Sequence, residues 1–324
     1  MARSTRRDLL PAWRMAGSSH PLQDAAAASL YGSPSGMVVE LPESVPANEL
    51  IGAFADFDDR TRLLGLVCVA DAVQVLRTLY REDYLALPGE TEGGPMPVAP
   101  RAELAVAQIE YASTIVLVNA ASLPTDQLAV VMALLSHLSP QARILLDGVA
   151  TETPGDRDAY AVEQDRPGWV RLLNDEFAPP ITDRRVSAFR YEQFRPLHPG
   201  RLRHLLDRRI ELGEFGRVIR SAGFCRFATR PGVVADWEQV GHLISFGPLV
   251  VEDDLEADDE LLAIGQDLAI IGLDLDRPAL TAALDEASLT DEELIAGPAA
   301  WVQLPDPFPD WSTSTPTTGT GEDL

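Results

Sequence analysis

The sequence predicts an α/β protein in two parts. A parallel-sheet domain over residues 1–150 is followed by a linker over 151–185, a smaller α+β domain over 186–311 and a disordered Ser/Thr/Gly-rich tail over 312–324. Three observations carry this. Thr114 to Val118, TIVLV, is an apolar, β-branched run of strand length with helix signals on both sides, which reads as a central parallel strand buried on both faces. Strand-like and helix-like patterns alternate up to Leu146, as a parallel sheet requires. From Val186 the pattern changes, and VSAFRYEQF alternates as a half-buried strand does.

Asp8 to Met15 reads as a short helix, with Leu9, Leu10 and Trp13 at helical spacing. A break at Gly17–Pro21 precedes an alanine-rich helix, Leu22–Leu30. Met37–Leu41 is the first clear strand, and ESVPANELIGAF opens the next helix. Leu63–Ala70 is a strand ending at Asp71, which can cap the helix Val73–Tyr80. PGETEGGPMPVAP is a loop. Arg101–Tyr111 is an amphipathic helix; after the central strand come the helix Asp126–Leu138 and the strand Ala142–Leu146.

In the second half, FRPLHPGRL leads into a helix through Asp207. Gly216–Thr229 is a strand or a kinked strand pair, and Val233–Trp237 with His242–Phe246 forms a hairpin across Gly241. Glu252–Glu260 is an acidic, solvated loop. Asp267–Leu273 is a strand, Pro278–Leu284 a helix, and Thr290 with Glu293 is a capping box.

Composition limits the function. The chain has 324 residues, 46% hydrophobic and 23% charged, and a net charge of −24. That charge argues against nucleic acid and anionic membrane surfaces as partners. No apolar run approaches a membrane span, and the N-terminus has no apolar core behind its arginines, so the expected location is cytoplasmic. Every basic side chain other than histidine is arginine, so no lysine of these residues can reach a nucleotide phosphate. The two cysteines, Cys68 and Cys225, lie in apolar strand-like runs and suggest neither a disulfide framework nor a thiolate metal site.

Ligands of parallel sheets bind at the carboxyl ends of the strands. Asn119, Ala120, Ala121 and Ser122 follow the central strand there, and of these only Asn119 could read a nucleotide base. Glu40 and Glu43, at the end of the first strand, could orient a water or hold a metal, or simply belong to the approach to the next helix. His198 and His204 are six apart across Pro199, which is wrong for a shared metal on one helix face, so His198 reads as structural. No nucleophile–base pair and no glycine-rich phosphate cradle is evident.

FRPLHPGRLRHLLD, GRVIRSAGFCRFATRPG, QDLAIIGLDLD and LDEASLTDEELIAGPAAW with DPFPDW, in order over Phe194–Trp311, resemble the C-terminal domain of the CobW family of P-loop GTPases. That family is associated with metal homeostasis and metallochaperone roles. Ala222 stands where the family's Arg-x-Lys-Gly-Phe strand usually has lysine. QIEYASTIVLVNAASL resembles the strand and guanine-reading Asn-Lys-x-Asp motif: Asn119 is kept, Ala120 replaces the lysine, and Ser122 replaces the aspartate. MVVELPESVP resembles the switch strand, with Glu40 matching and Glu43 in place of a glycine. STRRDLLPAW resembles the segment after the Cys-x-Cys-Cys metal motif. By that register Met1 falls within the metal motif itself, no cysteine precedes Cys68, and the strand, P-loop and helix would lie upstream.

The resemblance implies an incomplete P-loop-GTPase-like domain joined to a CobW C-terminal domain. It implies a vestigial nucleotide site at Asn119 and Glu40, with no catalytic residue and no metal ligand. The expected reading is a pseudo-GTPase acting as a binding or regulatory module in zinc or cobalt homeostasis. The alternative is a GTP-dependent metallochaperone whose P-loop and cysteine segment are missing from this sequence. Cofactors are expected only in that alternative, as GTP with Mg²⁺ and zinc. The expected partner is a protein bound through the C-terminal domain, and a homodimer is expected where the sheet lacks its first strand and helix. The segment around Ala25 would otherwise cover that surface.

Overall fold

The computed structural model describes residues 12–14, 38–55, 63–88, 96–147, 160, 166–251 and 265–311. The expectations for the helix Leu22–Leu30, the acidic run Glu252–Glu260 and the tail after Trp311 fall outside these residues. So do most of the loop between Pro88 and Pro100 and much of 151–165.

β1 (Ala12–Arg14) pairs in parallel with β2 (Val38–Glu40), in the register Trp13↔Val39. The helix expected over Asp8–Met15 is therefore not formed at Ala12–Arg14. A helix of that length does not hold itself together, and pairing with a neighbouring strand satisfies the same backbone groups. After α1 (Ala47–Ala55), β3 (Val67–Asp71), β6 (Thr114–Val118) and β7 (Arg143–Leu146) form a three-stranded parallel sheet in the order β3-β6-β7. The apolar run read as central is the middle strand. It is not buried equally on both faces, however. Ile115 and Leu117 are fully buried, while Thr114, Val116 and Val118 are half-covered. On β3, which has a free edge among the described residues, Val67 and Val69 are 57% and 65% exposed.

The connections are α2 (Val75–Thr78), the short hairpin β4 (Tyr84–Ala86) and β5 (Val98–Pro100), α3 (Arg101–Glu110) and α4 (Thr125–Leu138). α4 buries Val131, Leu134, Leu135 and Leu138 on one stripe. Each such side chain contributes about 1.5–3 kcal/mol relative to exposure.

α5 (Gly168–Leu173) lies within the segment read as linker, and it packs on the second sheet. That sheet is antiparallel and five-stranded, in the order β11-β10-β9-β12-β8. Its strands are β8 (Val186–Gln193), β9 (Arg217–Cys225), β10 (Val233–Val240), β11 (Leu243–Val251) and β12 (Gln266–Leu273). Between β8 and β9 come α6 (Pro199–Leu205) and a π-turn, Leu206–Ile210. After β12 come α7 (Arg277–Ala287), α8 (Asp291–Ala296) and α9 (Pro298–Trp301). β10 and β11 form the hairpin expected across Gly241; they are joined by Gly241-His242, with Gly241 at φ 56°. Thr290 and Glu293 form the expected capping box.

The second sheet has two packed faces. Trp237, Leu268 and Ile270 meet Leu202, Leu280 and Leu284 of α6 and α7 on one side. Ile219, Val240, Ile271 and Leu273 join the core of the first sheet on the other. On β9 a register slip interrupts the in/out alternation: Ile271 opposes Arg220 but Gly272 opposes Val218. Ile219 is the extra residue, and such a bulge changes which face the following side chains take. Arg220 is thereby aimed into the seam between the two halves.

Candidate functional site

At the carboxyl edge of the first sheet, β3 and β6 end side by side, with Asp71 opposite Val118. The chain then turns at Asn119 with φ 59° and ψ 18° and runs into a 3-10 turn, Ala120–Ser122. Asparagine tolerates this left-handed conformation better than most residues. Its exposed side chain is tied to the neighbouring strand end through one amide N–H. Nδ2 donates to Asp71 Oδ2 at 2.8 Å, while Asp71 Oδ1 accepts the Val73 N–H at 2.8 Å. The Asn119 hydrogen bond, then the Val73 N–H, hold the Asp71 carboxyl below its ordinary range. Asp71 thus steadies the turn before α2, but it does not cap that helix as expected: the position before α2 is Gln74, which makes no side-chain capping bond. Asp147 follows β7, where its N–H donates to Leu117 O at 2.9 Å. The edge therefore carries Asp71, Asn119 and Asp147, a set that disfavours phosphate and can accept donors or cations.

Glu40 is on β2, which pairs with β1 and is not part of the β3-β6-β7 sheet. The two residues expected to share a vestigial site thus sit on different sheets. Glu43 is engaged elsewhere: its carboxylate takes the guanidinium of Arg101, and Gln108 Nε2 donates to its carbonyl at 2.9 Å. Arg101 Nε also donates to Asp83 Oδ2 at 2.8 Å, so this strand exit is pinned to the start of α3. Among the described residues, no group of three or more His, Cys, Asp or Glu side chains is placed to hold a metal ion. Cys68 and Cys225 are free thiols, and burial pushes Cys68 up to about 11, far from a reactive thiolate.

His198 is structural, as its sequence context suggested. Its Nδ1 accepts the N–H groups of Gly200 at 3.1 Å and Arg201 at 3.3 Å, capping α6 behind Pro199. Burial, then the neighbouring Arg201, lowers its pKa. The cap needs an unprotonated Nδ1, so its contribution is present above pH about 6.5 and is lost as pH falls. His198→Ala is expected to cost about 1 kcal/mol in urea unfolding at pH 8, the usual worth of a cap. At pH 5 the difference from the parent chain should shrink.

The most heavily built polar cluster lies in the seam. Glu110 and Arg220 are both 3% exposed at their side chains, and Arg220 Nε donates to Glu110 Oε1 at 2.8 Å. Arg220 also reaches Glu238 of β10 and lies over the Trp169 ring at 5.7 Å. A second pin is Tyr80, whose hydroxyl donates to Val218 O at 2.9 Å; Arg217 stacks over its ring and the His242 ring meets it edge-on. Sequence reasoning passed over Glu110. Its signal is its position: it lies four residues after Val106 and eight after Ala102, on the buried stripe of α3.

Residues 186–288 match the family model of the cobalamin synthesis protein cobW C-terminal domain. A curated relative, zinc-regulated GTPase metalloprotein activator 1 of Dictyostelium discoideum, is 23% identical over 285 residues, covering 80% of this chain. The chain spans 59% of the length of that relative. Two solved structures of the YjiA GTPase are also similar at 15% identity. One is the Zn(II)-bound protein from E. coli, at TM-score 0.32, covering 83% of this chain and 75% of that one. The other is a Zn(II)-bound triple mutant, at TM-score 0.33, covering 78% and 71%. Overlays that loose do not align individual side chains. The family-model segment runs from the first residue of β8 through α7 and holds all five strands of the antiparallel sheet. Over residues 186–288, and over that segment, the chain is similar to the CobW C-terminal domain.

Proposed function

We propose that this chain acts in metal homeostasis as a binding or regulatory module and does not itself hydrolyse GTP. One observation carries the reading: the candidate base-reading side chain, Asn119, is tied to Asp71 through one amide N–H, so an acidic side chain lies where a base would approach. The neighbouring positions Ala120 and Ser122 supply neither an ammonium nor a carboxylate. A serine cannot reproduce the two hydrogen bonds that a carboxylate accepts from guanine, and each lost bond costs about 1–3 kcal/mol. No lysine occurs in these 324 residues to contact the phosphates. The module would work through a protein partner docked on its C-terminal domain.

Isothermal titration of the purified chain with GTP and Mg²⁺, then with Zn²⁺, tests this. No heat of GTP binding is expected up to several hundred micromolar. A dissociation constant of about 10 µM or tighter would overturn the reading.

A second reading is a GTP-dependent metallochaperone whose P-loop and metal cysteines precede Met1. It is favoured by the likeness to the Dictyostelium zinc-regulated GTPase metalloprotein activator, of which the chain spans only 59%. An in-frame Gly-x-x-x-x-Gly-Lys-Ser/Thr upstream of Met1 would support it, and its absence would end it.

A further inference from the structure

We propose that the seam between the two halves is a proton-operated clamp, in which Glu110 and Glu238 hold the buried guanidinium of Arg220 and Glu103 and Asp236 add acidic groups on the same helix and strand. The clamp grips best when the cluster holds protons and loosens as they leave.

The geometry sets up a shortage of positive charge. Glu103 and Glu110 come from α3, Arg220 from β9, and Asp236 and Glu238 from β10. Asp236 and Glu238 are two apart on one strand, so they share a face. Glu238 is the register partner of Ala222 on β9, and Ala222 is fully buried and uncharged. Position 222 therefore lies beside the carboxylates and contributes nothing to balance them.

The other cations of this face are already engaged. Arg190 of β8 is held by Asp267 through two hydrogen bonds of 2.7 and 2.8 Å. Arg171 of α5 pairs with Glu176, and Arg166 lies over the Tyr160 ring. Arg217 and His242 face Tyr80 at the other end of the seam. Tyr111, next to Glu110, is pushed up by burial and by Glu110 and Glu238, so it stays neutral.

The titration behaviour agrees with that geometry. Burial pushes Glu110 up to about 7 in spite of Arg220. Burial, then Glu238, pushes Asp236 up to about 6, and burial and Glu238 also raise Glu103. Burial alone would lower Arg220, but Glu110 and Glu238 more than offset it, so the guanidinium stays charged. In the unfolded chain Glu110 and Asp236 titrate near 4.5 and 3.8. The folded seam thus keeps protons that the unfolded chain has already lost. Its stability is complete below pH about 4 and is lost as pH rises through about 6 to 7.

The test uses the full chain in urea unfolding, with amide exchange followed at pH 5.5 and pH 8. The unfolding equilibrium constant at fixed urea is expected to rise tenfold or more across that interval. Exchange in 101–110 and 233–240, corrected for intrinsic base catalysis, should quicken more than exchange in 277–287. Glu238→Gln removes a partly exposed carboxylate and should flatten the rise. Ala222→Lys, which places an ammonium beside Glu238, should flatten it too. If the lysine variant does not fold, Glu103→Gln reads the same quantity. Stability that stays level or climbs from pH 5.5 to 8 would overturn the clamp, as would a rise left unchanged in both Glu238→Gln and Glu103→Gln.

Discussion

Replacing Arg220 by alanine is expected to destabilise the chain by about 3–5 kcal/mol at pH 8, the cost of stranding a buried charge by removing its partner. The guanidinium bonds Glu110 at 2.8 Å, bonds Glu238, and donates to the Ser221 carbonyl at 3.2 Å. Its loss leaves Glu110 at 3% exposure without the guanidinium that balances its charge. At pH 5.5 the stranded carboxyl groups can protonate, so the penalty should be smaller there. That direction follows from the raised pKa of Glu110.

The ion pair itself need not be favourable. A double variant, Glu110→Leu with Arg220→Met, should recover most of the loss, because buried pairs often exchange for apolar groups at little net cost. Urea unfolding of the two single variants and the double variant closes the cycle. A coupling energy below about 0.5 kcal/mol would mean that the pair does not hold the seam.

The seam shows why parts of this fold were legible in the sequence and others were not. TIVLV announced a strand because five apolar, mostly β-branched residues in a row leave few alternatives. The run could not say what would cover it, and one face proved only half-covered. Thr290 with Glu293 and His198 before Pro199 were legible for a related reason: caps are written within four residues of the helix start they serve.

The segment 151–185 read as linker because it is polar and irregular, with Trp169, Pro179 and Pro180. Yet Pro167 and Gly168 open α5, and a Cβ on Gly168 would sit 1.8 Å from the His137 carbonyl oxygen. That glycine is there for a close approach, which is a tertiary fact. Glu110 and Arg220 are 110 residues apart, and neither local pattern names the other. The candidate site divides in the same way. Asn119 was legible as the turn after the central strand, but its partner Asp71, 48 residues earlier, was not.

Trp237→Ala is the other large loss expected, again about 3–5 kcal/mol, and for a different physical reason. Trp237 is among the largest fully buried side chains, and its ring meets Phe246 edge-on at 5.1 Å. Truncation removes that contact and leaves a cavity between β10 and the helices on the outer face. It also breaks a chain of donors. The indole N–H donates to Ser221 Oγ at 2.8 Å, Ser221 donates to Gln239 Oε1 at 2.6 Å, and Gln239 Nε2 donates to the Gly241 carbonyl at 3.2 Å. Trp237→Phe keeps much of the apolar volume but drops the first donor, so it should cost less than alanine yet more than a volume change alone.

Trp237 and Glu238 are adjacent on β10, so they point to opposite faces of the same strand. The two large losses should therefore separate in amide exchange. Trp237→Ala should loosen β8 to β12 with α7, whereas Arg220→Ala should loosen α3 first. If Trp237→Ala quickened exchange in α3 as much as in α7, the two faces would not be distinct cores. The sheet would then transmit any core defect straight into the seam, and a local clamp at Arg220 would lose its physical basis.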